Sequence, residues 1–109
     1  MDKQAKKILL DIARKSIVAA ITGEIKPPFF CDHPDLLGKQ GVFVTLKTHE
    51  HLRGCIGRFV SDMPLYQMVS ELAISSATED PRFEFNRIKP QELNQLKIEI
   101  SVLSPLMPI

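Results

Sequence analysis

The residues with the most chemical potential lie in HEHLRGCIGRFV, residues 49–60, where Cys55 stands in a Gly-Cys-Ile-Gly run between Arg53 and Arg58. A cysteine becomes a nucleophile or a metal ligand only as the thiolate, which a neighbouring cation favours. If the stretch is an extended strand, side chains alternate between its faces. Arg53, Cys55, Gly57 and Phe59 then share one face, and Leu52, Gly54, Ile56, Arg58 and Val60 share the other. The second set has the apolar content of a core face, so Cys55 falls on the opposite side with Arg53 about 6.6 Å along the strand. Two glycines within four strand residues point to a bulge, or to close approach by a ligand or another stretch of backbone. Main-chain N–H groups beside an arginine can hold an anion or a carboxylate. The competing reading is packing, since an unpaired cysteine commonly behaves as a small buried hydrophobe. No base is assigned to Cys55, because a hairpin loop can hold His49 and His51 away from it.

Other candidates carry less. Cys31, His33, His49, His51 and Cys55 offer only Cys-x-His and His-x-His spacings, not the Cys-x-x-Cys knuckles of structural zinc sites, so no metal site is assigned. Asp80 and Arg82 flank Pro81 and read as a helix-ending turn with an ion pair. Phe83 and Phe85 are expected to plug the core edge. Glu71, Glu79 and Glu92 are expected on polar faces, with nothing to pair them as an acid–base dyad. Gly-Cys-Ile-Gly lacks the length and the following lysine of a phosphate loop.

The elements that must position these residues follow from periodicity. Ala5, Ile8, Leu9, Ile12, Ser16, Ala19 and Ala20 recur at helical spacing, with Gly23 as the C-cap. Residues 24–41 have three prolines and no period, so they form a long loop over the core or a site. GVFVTL, residues 41–46, alternates as a strand, and LRGCIGRFV is a second one, joined to it by the five residues KTHEH as a hairpin. Asp62 as N-cap and Pro64 in the first turn open a helix whose apolar stripe is Leu65, Met68, Val69, Leu72, Ala73 and Ala77. Pro81 ends it. KPQELNQL makes one short helical turn, LKIEISVL alternates as a third strand, and SPLMPI has two prolines that preclude a central strand. Helix, two strands, helix and strand make a single α+β domain with a largely antiparallel sheet and two main helices over residues 1–109.

Composition narrows the function classes. The chain has 109 residues, 44% hydrophobic and 25% charged, as in an ordinary globular domain. At this size a domain buries roughly 65% of its unfolded surface. There is no apolar run of the ~18 residues a bilayer span requires, and charges interrupt the N-terminal segment, which therefore does not read as a secretory signal. Two cysteines make no disulfide framework, so a reducing, cytoplasmic setting is expected. Net charge is +1. Residues 1–26 hold six Lys/Arg against three acids, and the remainder eight against ten. A helix with that excess reads as a solvated face, so nucleic-acid binding is not expected.

LRGCIG, residues 52–57, resembles the signature hexapeptide of the AMMECR-type domain family, whose prokaryotic members are labelled AmmeMemoRadiSam system protein A. GVFVTL (41–46) resembles the family's preceding strand, AISSATEDPRF (73–83) its helix ending in Asp-Pro-Arg-Phe, and LKIEISVLSP (96–105) its following strand. The resemblance implies an α+β fold with the hexapeptide in a cleft between two subregions. It also implies that this chain is the N-terminal portion of a domain, incomplete or shortened, whose exposed core surface favours self-association. Carried over position by position, the ligand-binding set is Leu52, Arg53, Gly54, Cys55, Ile56 and Gly57, with Asp80, Arg82 and Phe83 beside it and Cys55 as the candidate catalytic residue. The family brings no established activity and no known cofactor, so an enzyme and a non-enzymatic interaction module both stay open. Its prokaryotic gene neighbourhoods point to a Memo-like protein and a radical-SAM protein as pathway partners.

Overall fold

A computed structural model describes residues 1–103. Helix α1 (Lys3–Thr22) leads through a long loop, with a 3-10 turn at Pro34–Leu36, into β1 (Val42–Thr48) and β2 (His51–Arg58). Helix α2 (Leu65–Thr78) follows, then 3-10 turns at Pro81–Phe83 and Pro90–Gln95, and β3 (Leu96–Val102). The three strands form one antiparallel sheet in the order β2-β1-β3. Helices and strands are both present in an α+β arrangement, as the alternation of periods implies.

Helix α1 starts where the Asp2 carboxylate accepts the Ala5 N–H at 2.7 Å, and it ends at Gly23, whose φ of 79° is left-handed. Both helices lie on one face of the sheet. Val42, Val44 and Leu46 of β1 are fully buried there against Leu9, Ile17, Leu65, Met68 and Val69. Between the helices the buried Ser16 and Ser70 hydroxyls satisfy each other at 2.7 Å. The alternate residues Phe43, Thr45 and Lys47 turn to the other face, which carries no helix among the described residues.

Several local expectations need correction. The hairpin loop is two residues long, not five, because the strands run on through Thr48 and His51. His49 and Glu50 supply the turn with φ of 49° and 67°, the left-handed pair of a type I′ turn, without the Asn-Gly that normally announces one. The register shifts between Leu46, opposite Gly54, and Lys47, opposite Leu52, so Arg53 is the extra residue of a β-bulge. That bulge reverses parity before Gly54: Leu52 lies with Lys47 and Cys55 away from the helices, not with Ile56. Pro64, rather than Asp62, is the cap of α2, and the Leu65 N–H is met by the Gly38 carbonyl at 2.9 Å. Phe85 is 97% exposed and plugs nothing; Ile88 fills the core edge. Residues 104–109, with the two prolines expected to preclude a strand, lie outside the described residues.

Candidate functional site

Strand β2 is an edge strand, and the outward main-chain groups of Cys55 would otherwise be unpaired. They are not. The Cys55 N–H donates to Asp80 Oδ2 at 3.0 Å, and the Cys55 carbonyl accepts from Arg82 Nη2 at 3.2 Å. Asp80 caps the turn that stops α2, accepting from the Arg82 main-chain N–H, from Arg82 Nε at 3.1 Å and from Arg82 Nη2 at 2.7 Å. Its side chain is 1% exposed. The Arg82 hydrogen bonds, followed by those from the Cys55 and Arg82 N–H groups, hold the Asp80 carboxyl well below the usual carboxylate range despite its burial. Arg87 adds a bond to the Asp80 carbonyl at 2.8 Å. The Asp-Pro-Arg-Phe turn is therefore a plug in the sheet edge.

The bulge sends Arg53 to a different partner from the one its strand position implies. Its Nε and Nη2 grip Glu92 at 2.6 and 3.2 Å, and Nη2 also reaches the Asn86 carbonyl at 3.1 Å. Thr48 Oγ1 donates to the same carboxylate at 2.8 Å. Arg53 first, then Thr48, lower the Glu92 carboxyl below its ordinary range. Glu92 is thus not a polar-face residue but the anchor that ties the 3-10 turn before β3 to the bulge. The guanidinium carbons of Arg53 and Arg82 stand 5.6 and 5.8 Å from the centre of the Phe83 ring, which joins the two ion pairs through cation–π contact.

Both glycines of the hexapeptide are close-approach positions. A Cβ on Gly54 would collide with the Ser76 carbonyl, so the last turns of α2 rest directly on the strand. Ser76 Oγ enters the sheet there, accepting from the Ile56 N–H at 3.1 Å and donating to the Val44 carbonyl at 2.9 Å. A side-chain hydroxyl thus bridges β1 and β2. On the other face a Cβ on Gly57 would meet the Phe43 ring, which in turn packs edge-on against Phe59 with centroids 5.4 Å apart.

What remains for chemistry is the Cys55 thiol. Half-buried, it lies on the helix-free face and meets Thr45 Oγ1 at 3.2 Å. Arg82 rather than Arg53 is the cation beside it. Asp80 is the main influence keeping Arg82 protonated, and the Cys55 sulfur acts in the same direction. The histidines go elsewhere: His49 Nε2 meets Gln95 Oε1 at 3.0 Å, and His33 lies between Asp2 and Asp35. Asp2, His33 and Asp35 do bring ligand atoms within 4.8 Å of one another. The Asp35 N–H occupies His33 Nδ1, however, so Nε2 keeps the ring proton and points it at Asp2 Oδ2 rather than at a metal.

Comparison with known proteins matches residues 10–109 to the AMMECR1 family. The chain belongs to the AMMECR1 family. It is 41% identical over 104 residues to a protein of Methanothermobacter thermautotrophicus, covering 94% of this chain and 53% of that one. It is 45% identical over 105 residues to Protein MK0488 of Methanopyrus kandleri, covering 91% and 48%. The crystal structure of the uncharacterized protein PH0010 from Pyrococcus horikoshii superposes with a TM-score of 0.74 at 41% identity, over 89% of this chain and 50% of that one. The chain spans about half the length of these relatives.

Of the AMMECR1 motif residues named from sequence, the fold gathers Arg53, Cys55, Asp80, Arg82 and Phe83 along the β2 edge, with Gly54 and Ile56 beneath α2. Leu52 stands on the helix-free face across from Lys47. Ser76, Thr45 and Glu92 belong to the same constellation and were not legible as such. Ser76 and Thr45 look like ordinary helix and strand residues, and Glu92 lies 39 positions from the arginine it binds. No helix among the described residues is long and apolar enough to cross a membrane.

Proposed function

We propose that the chain carries a small-molecule site at the LRGCIG strand, a cleft that takes an anionic group at Arg82 and presents Cys55 Sγ as nucleophile or transient covalent carrier. The observation that carries this reading is the fixing of Cys55 by both of its main-chain groups, while its sulfur meets the Thr45 hydroxyl and lies beside Arg82. A clamped backbone holds a reacting atom in place, and the Arg82 guanidinium supplies positive charge beside it. Thr45 Oγ1 would hold the sulfur's direction. Arg53, Gly54 and Gly57 would shape the site without touching the ligand. A reducing cytoplasm would keep the thiol free. The test is alkylation of Cys55 by iodoacetate as a function of pH, in a Cys31→Ser background, against the urea-unfolded chain. An activated thiol predicts faster alkylation in the folded chain than in the unfolded one, slowed in Arg82→Gln. Slower alkylation when folded, at every pH, would overturn it.

A second reading is favoured by Phe59, Val60 and Phe85, which are 76%, 68% and 97% exposed beside the hexapeptide strand and the Asp-Pro-Arg-Phe turn. Here the same region is an interaction module that receives a segment of a Memo-like protein, in a pathway shared with a radical-SAM protein. Cys55→Ala separates the two readings: the interaction module retains partner binding and cellular function, and the thiol site loses function.

A further inference from the structure

Cys55 and the residues on either side of it are gripped by one short stretch of chain, Ser76 to Arg82. Asp80 and Arg82 hold the main-chain groups of Cys55 itself from the sheet edge. From the helix side Ser76 reaches both neighbours. Its carbonyl lies where a Cβ on Gly54 would stand, and its hydroxyl accepts the Ile56 N–H at 3.1 Å and donates to the Val44 carbonyl at 2.9 Å. Ser76 is 1% exposed. Hydroxyls at the helix ends usually bond back to their own helix. Thr22 does so to the Val18 carbonyl and Thr78 to the Ile74 carbonyl, each at 2.7 Å. Ser76 gives its proton to the sheet instead.

Cys55 turns its N–H and carbonyl outward, so Thr45 and Cys55 are a non-hydrogen-bonded pair between β1 and β2, the kind whose side chains stand closest. No main-chain bond within that pair sets its spacing. The flanking pairs do, Val44 with Ile56 and Leu46 with Gly54, and Ser76 touches a member of each. We infer that Ser76 is a positioning residue for the Cys55 thiol: its hydroxyl, set between Val44 and Ile56, fixes the separation at which Thr45 Oγ1 meets Sγ at 3.2 Å. The inference rests on the thiol site proposed above and gives that site a third residue, one that acts through the strands and never touches the sulfur. The contacts involved lie between α2 and the two strands, so a further segment laid over the sheet would leave them in place.

The test is the rate of Cys55 alkylation by iodoacetamide, an uncharged probe, in folded chains that all carry Cys31→Ser. Ser76→Ala and Thr45→Val should each slow the reaction about fivefold, the order of one hydrogen bond. The double variant should be no slower than Thr45→Val alone, because Ser76 acts through the Thr45 contact and the two effects do not add. Ser76→Thr, which keeps the hydroxyl, should react within about twofold of the parent. Val69→Ala weakens the packing of α2 without touching the hydroxyl, and should leave the folded rate unchanged. A parental rate in Ser76→Ala, single effects that multiply in the double variant, a Ser76→Thr chain as slow as Ser76→Ala, or equal slowing by Val69→Ala would each overturn the inference. These readings are ratios among folded chains. The proposed function is decided by the folded parent against the unfolded chain, so either can fail without the other.

Discussion

At the β2 edge the N–H and carbonyl of Cys55 meet a buried carboxylate and a guanidinium delivered by one short turn. At the β3 edge Arg14 reaches from α1 to the carbonyls of Leu93 and Leu96, and the outward groups beyond have no such partner among the described residues. Both edges face the same problem of unpaired backbone, yet one is closed by a network and the other by a single side chain. The closed edge is also the part richest in motif residues. Much of the LRGCIG signature is thereby accounted for as construction. Arg53 holds Glu92, Gly54 admits the α2 backbone, Gly57 admits a ring, and Asp80 with Arg82 completes the edge.

The comparison breaks most readily at Gly54. Gly54→Ala places a methyl against the Ser76 carbonyl, which cannot yield without moving α2. We expect a loss of about 3 kcal/mol or more in urea unfolding, at the upper end of overpacking costs. Gly38→Ala, where the nearest atom is a Gln40 side-chain oxygen at 3.5 Å, should stay within about 0.5 kcal/mol. Equal effects at the two glycines would remove the close-approach account.

The carboxylates come next. Asp80 and Glu92 are both held below their unfolded pKa values of about 4. Their contribution is present above that pH and fades as the pH falls below it toward the folded values, because protonation then favours the unfolded chain. Wild-type stability should therefore drop between about pH 5 and pH 2, and Asp80→Asn should be weaker at neutral pH with a flatter acid limb. The same slope in wild type and variant would show that the edge plug does not rest on this charge. Glu92→Gln should cost about 1–2 kcal/mol at neutral pH, as loss of a charge-assisted fork at a partly exposed site.

The smallest effect is expected at the open edge. Arg14→Met removes two bonds to carbonyls from an exposed side chain and should cost under about 1 kcal/mol. A loss matching that of Asp80→Asn would mean the two edges are equally dependent on their closures.

Period and composition suffice for the elements of this fold. The buried faces of α2 and β1 read straight off the chain, because each is a repeat of 3.6 or 2 residues against one core; in α1 the stripe also takes in Ala13 and Ile17, while Ile8 and Ala20 are only partly buried. Resemblance singled out LRGCIG and Asp-Pro-Arg-Phe, and the fold places the two side by side. Parity failed at Leu52 for a physical reason: a bulge inserts one residue and inverts the faces, and Arg53 carries no local sign of it. The turn at His49–Glu50 was hidden similarly, since its left-handed pair is not glycine. Only the tertiary structure could decide that Arg53 belongs to Glu92, that Ser76 reaches into the sheet, and that Arg82 is the cation beside Cys55. Those pairings join residues 20 to 39 positions apart, and they depend on where the folded chain leaves a backbone group or a charge in need of a partner. The amino-acid order marked Cys55 as the place to look; the fold determined which neighbours its sulfur has.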